Sequence, residues 1–287
     1  VMKKFLCTLT VISTLFILVA GSYYVNNTGT VINQQITAPD GYELVWNDEF
    51  NGNSLDTTKW NYDKGTGAQY GLNGWGNNEL QYYTVDRSKN VRVDHGMLIL
   101  EAHREDYKNM EYTSGRLNTA GKGDWKYGRF EIKARLPEGR GTWPALWMLP
   151  TMENMQWPED GEIDIMEHVG YNQNNIIATI HTGAYNHMDG TQISDSIRIE
   201  NAAGYFHHYA LEWTPEKLIW FVDDQKIHEF SNPHKTNAEW PFDKPFHLIM
   251  NIAVGGNWGG KKGVDKNIWP QQMNIDYVRV FKNHENE

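Results

Sequence analysis

The sequence predicts an all-β protein built as a sandwich of two packed antiparallel sheets. Three observations carry this. Short alternating or apolar segments recur between Gly, Asn, Asp and Pro signals, no segment sustains a helical period, and aromatic residues are dense, with 12 Trp and 15 Tyr in 287 residues. Alternation with a period of two marks a strand with one face buried and the other wet. Sandwiches of this length commonly form one domain, so the length does not call for a second.

Taken in order, the chain opens as a secretory leader over residues 1–21: a basic Met2-Lys3-Lys4, an apolar run from Phe5 to Val19, and small Ala20-Gly21 for cleavage. The run is short for a spanning helix, which needs about 20 apolar residues; an uncleaved anchor is the alternative. Ser22 stands where a lipoprotein would carry its lipidated Cys, so no lipidation is expected. The single Cys, Cys7, lies inside the leader, and the exported chain therefore has no disulfide. Residues 22–40, rich in Asn, Thr and Gln, read as a flexible spacer. The globular part is expected over residues 41–283, outside the cell or in the periplasm.

Within it, Met97 to Ala102, Phe130 to Leu136 and Tyr277 to Phe281 read as strands. Leu218 to Val222 and Lys226 to Phe230, joined by Asp223-Asp224-Gln225, read as a hairpin. Phe246 to Val254 is nearly all apolar, as suits a central strand. The net charge of -10 offers nothing to a phosphate backbone, which excludes nucleic acid as a partner. His207-His208 lacks a useful metal-ligand spacing. Gly255 to Lys261 spells G-x-x-x-x-G-K, but Lys262 replaces the needed Ser or Thr and no helix follows, so it is not a phosphate loop.

The stretch Gly161-Glu162-Ile163-Asp164-Ile165-Met166-Glu167 holds the chemistry. On a strand, Glu162 and Asp164 share one face and Ile163 and Ile165 the other. Strict alternation would turn Glu167 away, and one extra residue taken up in a β-bulge would return it to the acidic face. Three carboxyls on one wall force at least one pKa upward, which allows an ionised carboxylate beside a protonated acid at one pH. The plain alternative is a half-buried strand with its acids in water. Aromatic neighbours argue otherwise: Trp143 to Pro150 and Trp157-Pro158 precede the acids, and Ala178 to His187 follows them. Flat rings stack on pyranose faces while acids and amides bind hydroxyls, so the pattern suits a sugar polymer.

With these residues in view, the chain resembles glycoside hydrolase family 16, and within it the bacterial laminarinases, from about Leu44 to Val280. The resemblance lies in Glu162 to Glu167 with its extra residue, Asn78 to Tyr83, Tyr112 to Leu117, Trp143 to Leu149, Ile180-His181-Thr182 and Ala253 to Gly260. It implies a jelly-roll sandwich with a concave substrate cleft, and retaining hydrolysis of 1,3-β-glucosidic bonds, with 1,4 bonds next to 1,3-linked units as a possible extension. By resemblance Glu162 is the nucleophile, Glu167 the acid/base with the raised pKa, and Asp164 the group that tunes both. Trp143, Trp147 and Trp258 resemble stacking residues, although Trp147 is equally readable as core. His181 resembles the histidine beside the acid/base. Asn78 and Arg116 match hydroxyl-binding positions, Arg116 being otherwise a surface charge after a Gly turn; Glu79 is a weaker candidate.

The resemblance also implies a structural calcium on the convex side, at Glu49, Gly96 and Asp276, and no catalytic cofactor. The partner it implies is a β-glucan polysaccharide; no protein partner is implied, and a monomer is expected. Two other readings stay open: a non-catalytic β-glucan-binding protein, and a hydrolase of the same fold acting on agarose, carrageenan or xyloglucan.

Overall fold

In the computed structural model, which describes residues 21–25 and 31–283, the chain divides into two units, Val1–Thr37 and Ala38–Glu287. In the first, Gly21–Val25 and Val31–Gln35 pair as an antiparallel ribbon across the stretch read as a spacer. Of the leader expected over 1–21, residues 1–20 lie outside the described residues, and Gly21 opens the first strand of the ribbon.

The second unit is a jelly-roll sandwich of two sheets. One sheet runs, in spatial order, through Ile193–Arg198, Asn175–His181, Glu162–Glu167, Thr142–Pro150, Phe246–Val254, Arg116–Asn118 and Asn61–Tyr62, with Asp124–Trp125 also against Phe246–Val254. The other runs through Gln225–Ser231, Lys217–Val222, His207–Trp213, Gly128–Arg135, Gln271–Asn283, Met97–Tyr107, Met110–Ser114 and Gln81–Tyr83. Tyr42–Asp48 adds to Gln271–Asn283 and Val91–Asp94 to Met97–Tyr107. Pairing is antiparallel except between Gln81–Tyr83 and Met110–Ser114, which run parallel. The described helical structure is limited to short 3-10 turns at Ala68–Tyr70 and Asn73–Gly76.

The expected strands form where alternation placed them. Gly128–Arg135 alternates without a break between buried and half-buried positions. Phe246–Val254 is a central strand, covered on both edges and buried over nearly its whole length. The hairpin differs in detail. Gln225 pairs with Val222 and belongs to the strand, leaving a two-residue turn at Asp223-Asp224 with φ of 47° and 63°. Such a turn needs positive φ at both positions, which Asp tolerates better than most residues.

The inward faces of the two sheets meet in one core. Leu146, Met148, Ile163, Ile165 and Met166 come from one side, and Phe130, Ile132, Trp213, Trp220 and Val278 from the other. At roughly 25 cal/mol per Å² of apolar area removed from water, this burial is the main support of the fold. It also fixes the register of the acidic strand, because a slip of one residue would drive carboxylates into the core.

Candidate active site

Apolar burial on the inner face forces the acids outward. Glu162 pairs with His181, Asp164 with Trp147 and Thr179, and Glu167 with Ala145 and Ile177. On both flanking strands the register shifts between Asp164 and Glu167. Ile165 and Met166 are both fully buried in that interval. This is the expected bulge: consecutive apolar side chains turn into the core, and Glu167 returns to the face of Glu162 and Asp164.

Each outer glutamate is held by an indole. Trp157 Nε1 donates to Glu162 Oε2 at 2.8 Å, and Trp143 Nε1 donates to Glu167 Oε1 at 3.1 Å. Between them Asp164 is 2% exposed, and its Oδ2 has no hydrogen-bond partner. In the sequence Trp157 is only a neighbouring aromatic, and nothing in its spacing distinguishes a hydrogen-bond donor from a stacking plate.

Burial raises all three carboxyls. Glu162 is pushed up to about 7 by desolvation, against the bonds from Trp157 and Asp164 and the Arg116 charge. Glu167 is pushed up to about 8 by desolvation and then by the Glu162 charge, with the Trp143 bond opposing. Asp164 is raised well above the carboxylate range by desolvation, then by Glu167 and Glu162. Glu167 carries the raised pKa expected of it, but the acidic neighbour is only the second cause: desolvation leads, and it acts on the whole triad. The hydrogen bond between Glu162 and Asp164 lowers the former and raises the latter. Asp164 is therefore the proton donor and Glu162 the ionised acceptor. The proton losses belong to the coupled set rather than to single residues.

His181 lies at the Glu162 end of the row, not beside Glu167. Its Nε2 is 3.6 Å from Asp164 Oδ2 and 3.8 Å from Glu162 Oε1. The cause is register: His181 pairs with Glu162, whereas Glu167 sits opposite Ile177. Desolvation lowers the imidazole to about 4, so it is neutral at pH 7.

A polar and aromatic floor continues from the acids across the sheet. Trp147 is half-buried on the acid face, not in the core, and its Nε1 donates to Asn251 Oδ1 at 2.8 Å. Asn251 donates onward to Tyr83 Oη at 3.0 Å. Arg116 lies with its guanidinium 4.3 Å from the ring centre of Trp75 and 4.9 Å from that of Trp147, and its Nε donates to Asp63 at 2.8 Å. It is 9% exposed, which rules out a solvated surface charge. Trp143 and Trp258 meet edge to face at 5.5 Å. Exposed Asn78 donates to Asn257 Oδ1 at 2.8 Å. Glu79 is buried and accepts from Gln81 at 2.6 Å and from Tyr83 Oη at 3.5 Å. Asn251 had a legible signal, as a polar residue inside the apolar Phe246–Val254 run. Asp63 and Trp75 had none.

The three residues expected to hold calcium come together in backbone register on the opposite sheet. Ile275 pairs with Leu98 and Val278 with Asp48, so Asp276 lies between these pairings, near the Gly96 turn and Glu49. The donor chemistry fits in part. Glu49 gives both carboxylate oxygens to Arg279, at 2.9 and 2.8 Å, so its side chain is committed elsewhere. Asp276 Oδ2 faces Lys133 Nζ at 2.8 Å. A calcium here would draw on the Asp276 carboxylate and on backbone carbonyls of Glu49 and Gly96.

Comparison with known proteins agrees with this geometry. The sequence profile described as "Glycosyl hydrolases family 16" matches residues 78–279. The chain is 56% identical over 250 residues to a β-glucanase of Rhodothermus marinus, covering 84% of this chain and 85% of that one. It is 40% identical to glucan endo-1,3-beta-glucosidase A1 of Niallia circulans over 84% of this chain, but spans only 38% of that longer protein. Among solved structures, the laminarinase from Rhodothermus marinus superposes with a TM-score of 0.80 at 56% identity, over 84% of this chain and 97% of that one.

Proposed function

The chain belongs to glycosyl hydrolases family 16, and from that premise we propose that it cuts internal 1,3-β-glucosidic bonds of laminarin-type glucans with retention at the anomeric carbon. The observation that carries the reading is the bulged strand, which sets Glu162 and Glu167 on one face, each fixed by its own indole.

In this reading the Glu162 carboxylate attacks the anomeric carbon while Glu167 gives its proton to the departing glycosidic oxygen. The glycosyl-enzyme ester forms, and Glu167, now ionised, takes a proton from water as the water attacks the same carbon. Two inversions give retention, and each glutamate ends as it began. Asp164 keeps its proton throughout and donates to Glu162. That bond stabilises the carboxylate in the ground state and is released as the negative charge goes into the ester. Neutral His181 borders the same pair. Trp143, Trp147 and Trp258 supply stacking faces, while Arg116 and Asn78 supply donors for hydroxyls.

The names of the relatives support β-glucan as the substrate class, and the 1,3 linkage is the reading they favour. Secretion through residues 1–21, a monomeric state and a calcium at Glu49, Gly96 and Asp276 complete the proposal; the leader composition supports the first and the Asp276 carboxylate the last.

The test is reducing-sugar release from laminarin, lichenan, agarose and xyloglucan by wild type and Glu162→Ala, with proton NMR of the first-formed anomer. Release of β-anomer from laminarin, lost in the variant, is the expected result. Activity on lichenan alone or on a galactan would overturn the linkage. Binding of laminarin without release from any polymer would make this a glucan-binding protein.

A further inference from the structure

We propose that Glu162, Asp164 and His181 form a site for one borderline divalent transition-metal ion, of the zinc class, whose occupation switches the nucleophile off. The three residues each offer one ligand atom, all within 4.8 Å of one another. His181 Nε2 lies 3.6 Å from Asp164 Oδ2 and 3.8 Å from Glu162 Oε1. With the third side anywhere within that limit, the point equidistant from all three is about 1.9–2.4 Å from each, a range that spans zinc–nitrogen and zinc–oxygen bond lengths of roughly 2.0–2.2 Å.

Four further observations point to the ion. Asp164 Oδ2 is buried and has no hydrogen-bond partner, so this oxygen is open to the ion; coordination releases the Asp164 proton to solvent and ends the hydrogen bond that Asp164 donates to Glu162. Trp157 holds Glu162 by Oε2, which leaves Oε1 toward His181. Glu162 and His181 are directly paired across neighbouring strands, so the ligands are set by the sheet and need no rearrangement. The Glu162 side chain keeps 16% of its surface exposed, which leaves the ion a path from solvent and an open fourth position.

The donor set selects the ion class. Two carboxylates and an imidazole suit zinc, nickel or copper, whereas calcium and magnesium want six or more oxygens. The site is also bounded in strength. His181 Nδ1 is buried with no acceptor, and a metal-bound histidine without that outer partner loses about 10–100-fold in affinity. The ion therefore binds reversibly, more weakly than in a structural zinc site. Coordination takes the Oε1 lone pair of Glu162 and fills the space beside it, so metal and sugar exclude each other. Binding of the ion does not depend on the proposed function; its effect on turnover does.

The experiment is calorimetric titration of the untagged full chain with zinc chloride, and visible spectroscopy with cobalt, for wild type, Glu162→Gln and His181→Asn, each checked for folding by thermal melting. One ion per chain, cobalt bands of low coordination number, and at least a tenfold loss of affinity in both variants are expected. Zinc should inhibit laminarin hydrolysis competitively in wild type, with full recovery on chelation. Unchanged affinity in both variants, or no binding at millimolar zinc, overturns the site. If no polymer is cleaved, calorimetry and cobalt spectra still decide it. If zinc binds at the site yet leaves turnover untouched, the switch is overturned.

Discussion

The indole nitrogen of Trp220 donates to the backbone carbonyl of Asp164 at 2.9 Å, from the opposite sheet and through the centre of the core. A bulge disrupts the local ladder, and here a buried donor satisfies the carbonyl at its edge. The bond ties the middle acid to the core and so fixes where Glu162 and Glu167 sit around it. Trp220→Phe keeps a ring but removes the donor. An unsatisfied buried carbonyl costs about 1–3 kcal/mol, and a melting shift of about 2–4 °C per kcal/mol follows for a chain of this size. Small displacements of the acids carry a larger penalty on rate, on the order of 10- to 100-fold in kcat, with KM nearly unchanged because no sugar contact is lost. A variant that melts lower but keeps wild-type kcat would reduce Trp220 to packing.

The raised carboxyls predict the pH profile of kcat/KM. Activity needs Glu162 ionised and Glu167 protonated. The acid limb should lie above the ordinary carboxylate value, since Glu162 is raised from 4.5 to about 7, and the alkaline limb should follow Glu167 toward about 8. Glu167→Gln should lose about 10²–10⁴-fold on laminarin and lose the alkaline limb with it. A variant that keeps that limb would assign it to another group.

The same shifts make a stability prediction of opposite sense to activity. In the unfolded chain Glu167 loses its proton near the ordinary carboxyl value of 4.5, whereas in the fold it holds it to about 8. Between those limits the folded state binds more protons, so stability falls as pH rises through the window. Glu167→Gln removes that loss. Its melting temperature should match wild type near pH 4.5 and exceed it by several degrees at pH 8. Equal melting at both values would show that the cleft solvates the charge.

Much of this was legible from particular residues. The bulge followed from one surplus residue between Asp164 and Glu167, because the core takes Ile163, Ile165 and Met166 and the acids have only one other face. The order of the wall residues was not legible. His181 proved to be beside Glu162 because its strand pairs antiparallel, and register between distant strands is not written in either strand alone. Arg116 was ambiguous for a related reason: its surroundings come from Asp63, Trp75 and Trp147, three separate parts of the chain.

That enclosure predicts how Arg116 responds to exchange. Lys keeps the charge facing Asp63 but lacks the plane that stacks between two indoles. Arg116→Lys should loosen Trp147 and raise KM for laminarin by about 5- to 10-fold, equivalent to roughly 1 kcal/mol. Intrinsic Trp fluorescence should change alongside. An unaltered KM would place Arg116 in the scaffold rather than among the sugar contacts.

Calcium at Asp276 makes the last prediction. An ion that binds only the folded state stabilises it by RT ln(1 + [L]/Kd), about 2.7 kcal/mol at a hundredfold excess over Kd. Millimolar calcium should therefore raise the melting temperature over an EDTA-treated sample by about 5–10 °C at a Kd near 10 µM. Asp276 now faces Lys133 at 2.8 Å, and the ion must displace or share that contact. Asp276→Asn should abolish the calcium response while leaving kcat near wild type, since the residue lies on the sheet opposite the acids. Lys133→Met is the informative companion. It removes the competing cation, so the calcium response should persist or grow. A wild type that melts identically with calcium and with EDTA, beside a Lys133→Met that responds to calcium, would mean that the Lys133–Asp276 pair has taken over the ion's place; no response in either would remove the ion from this site.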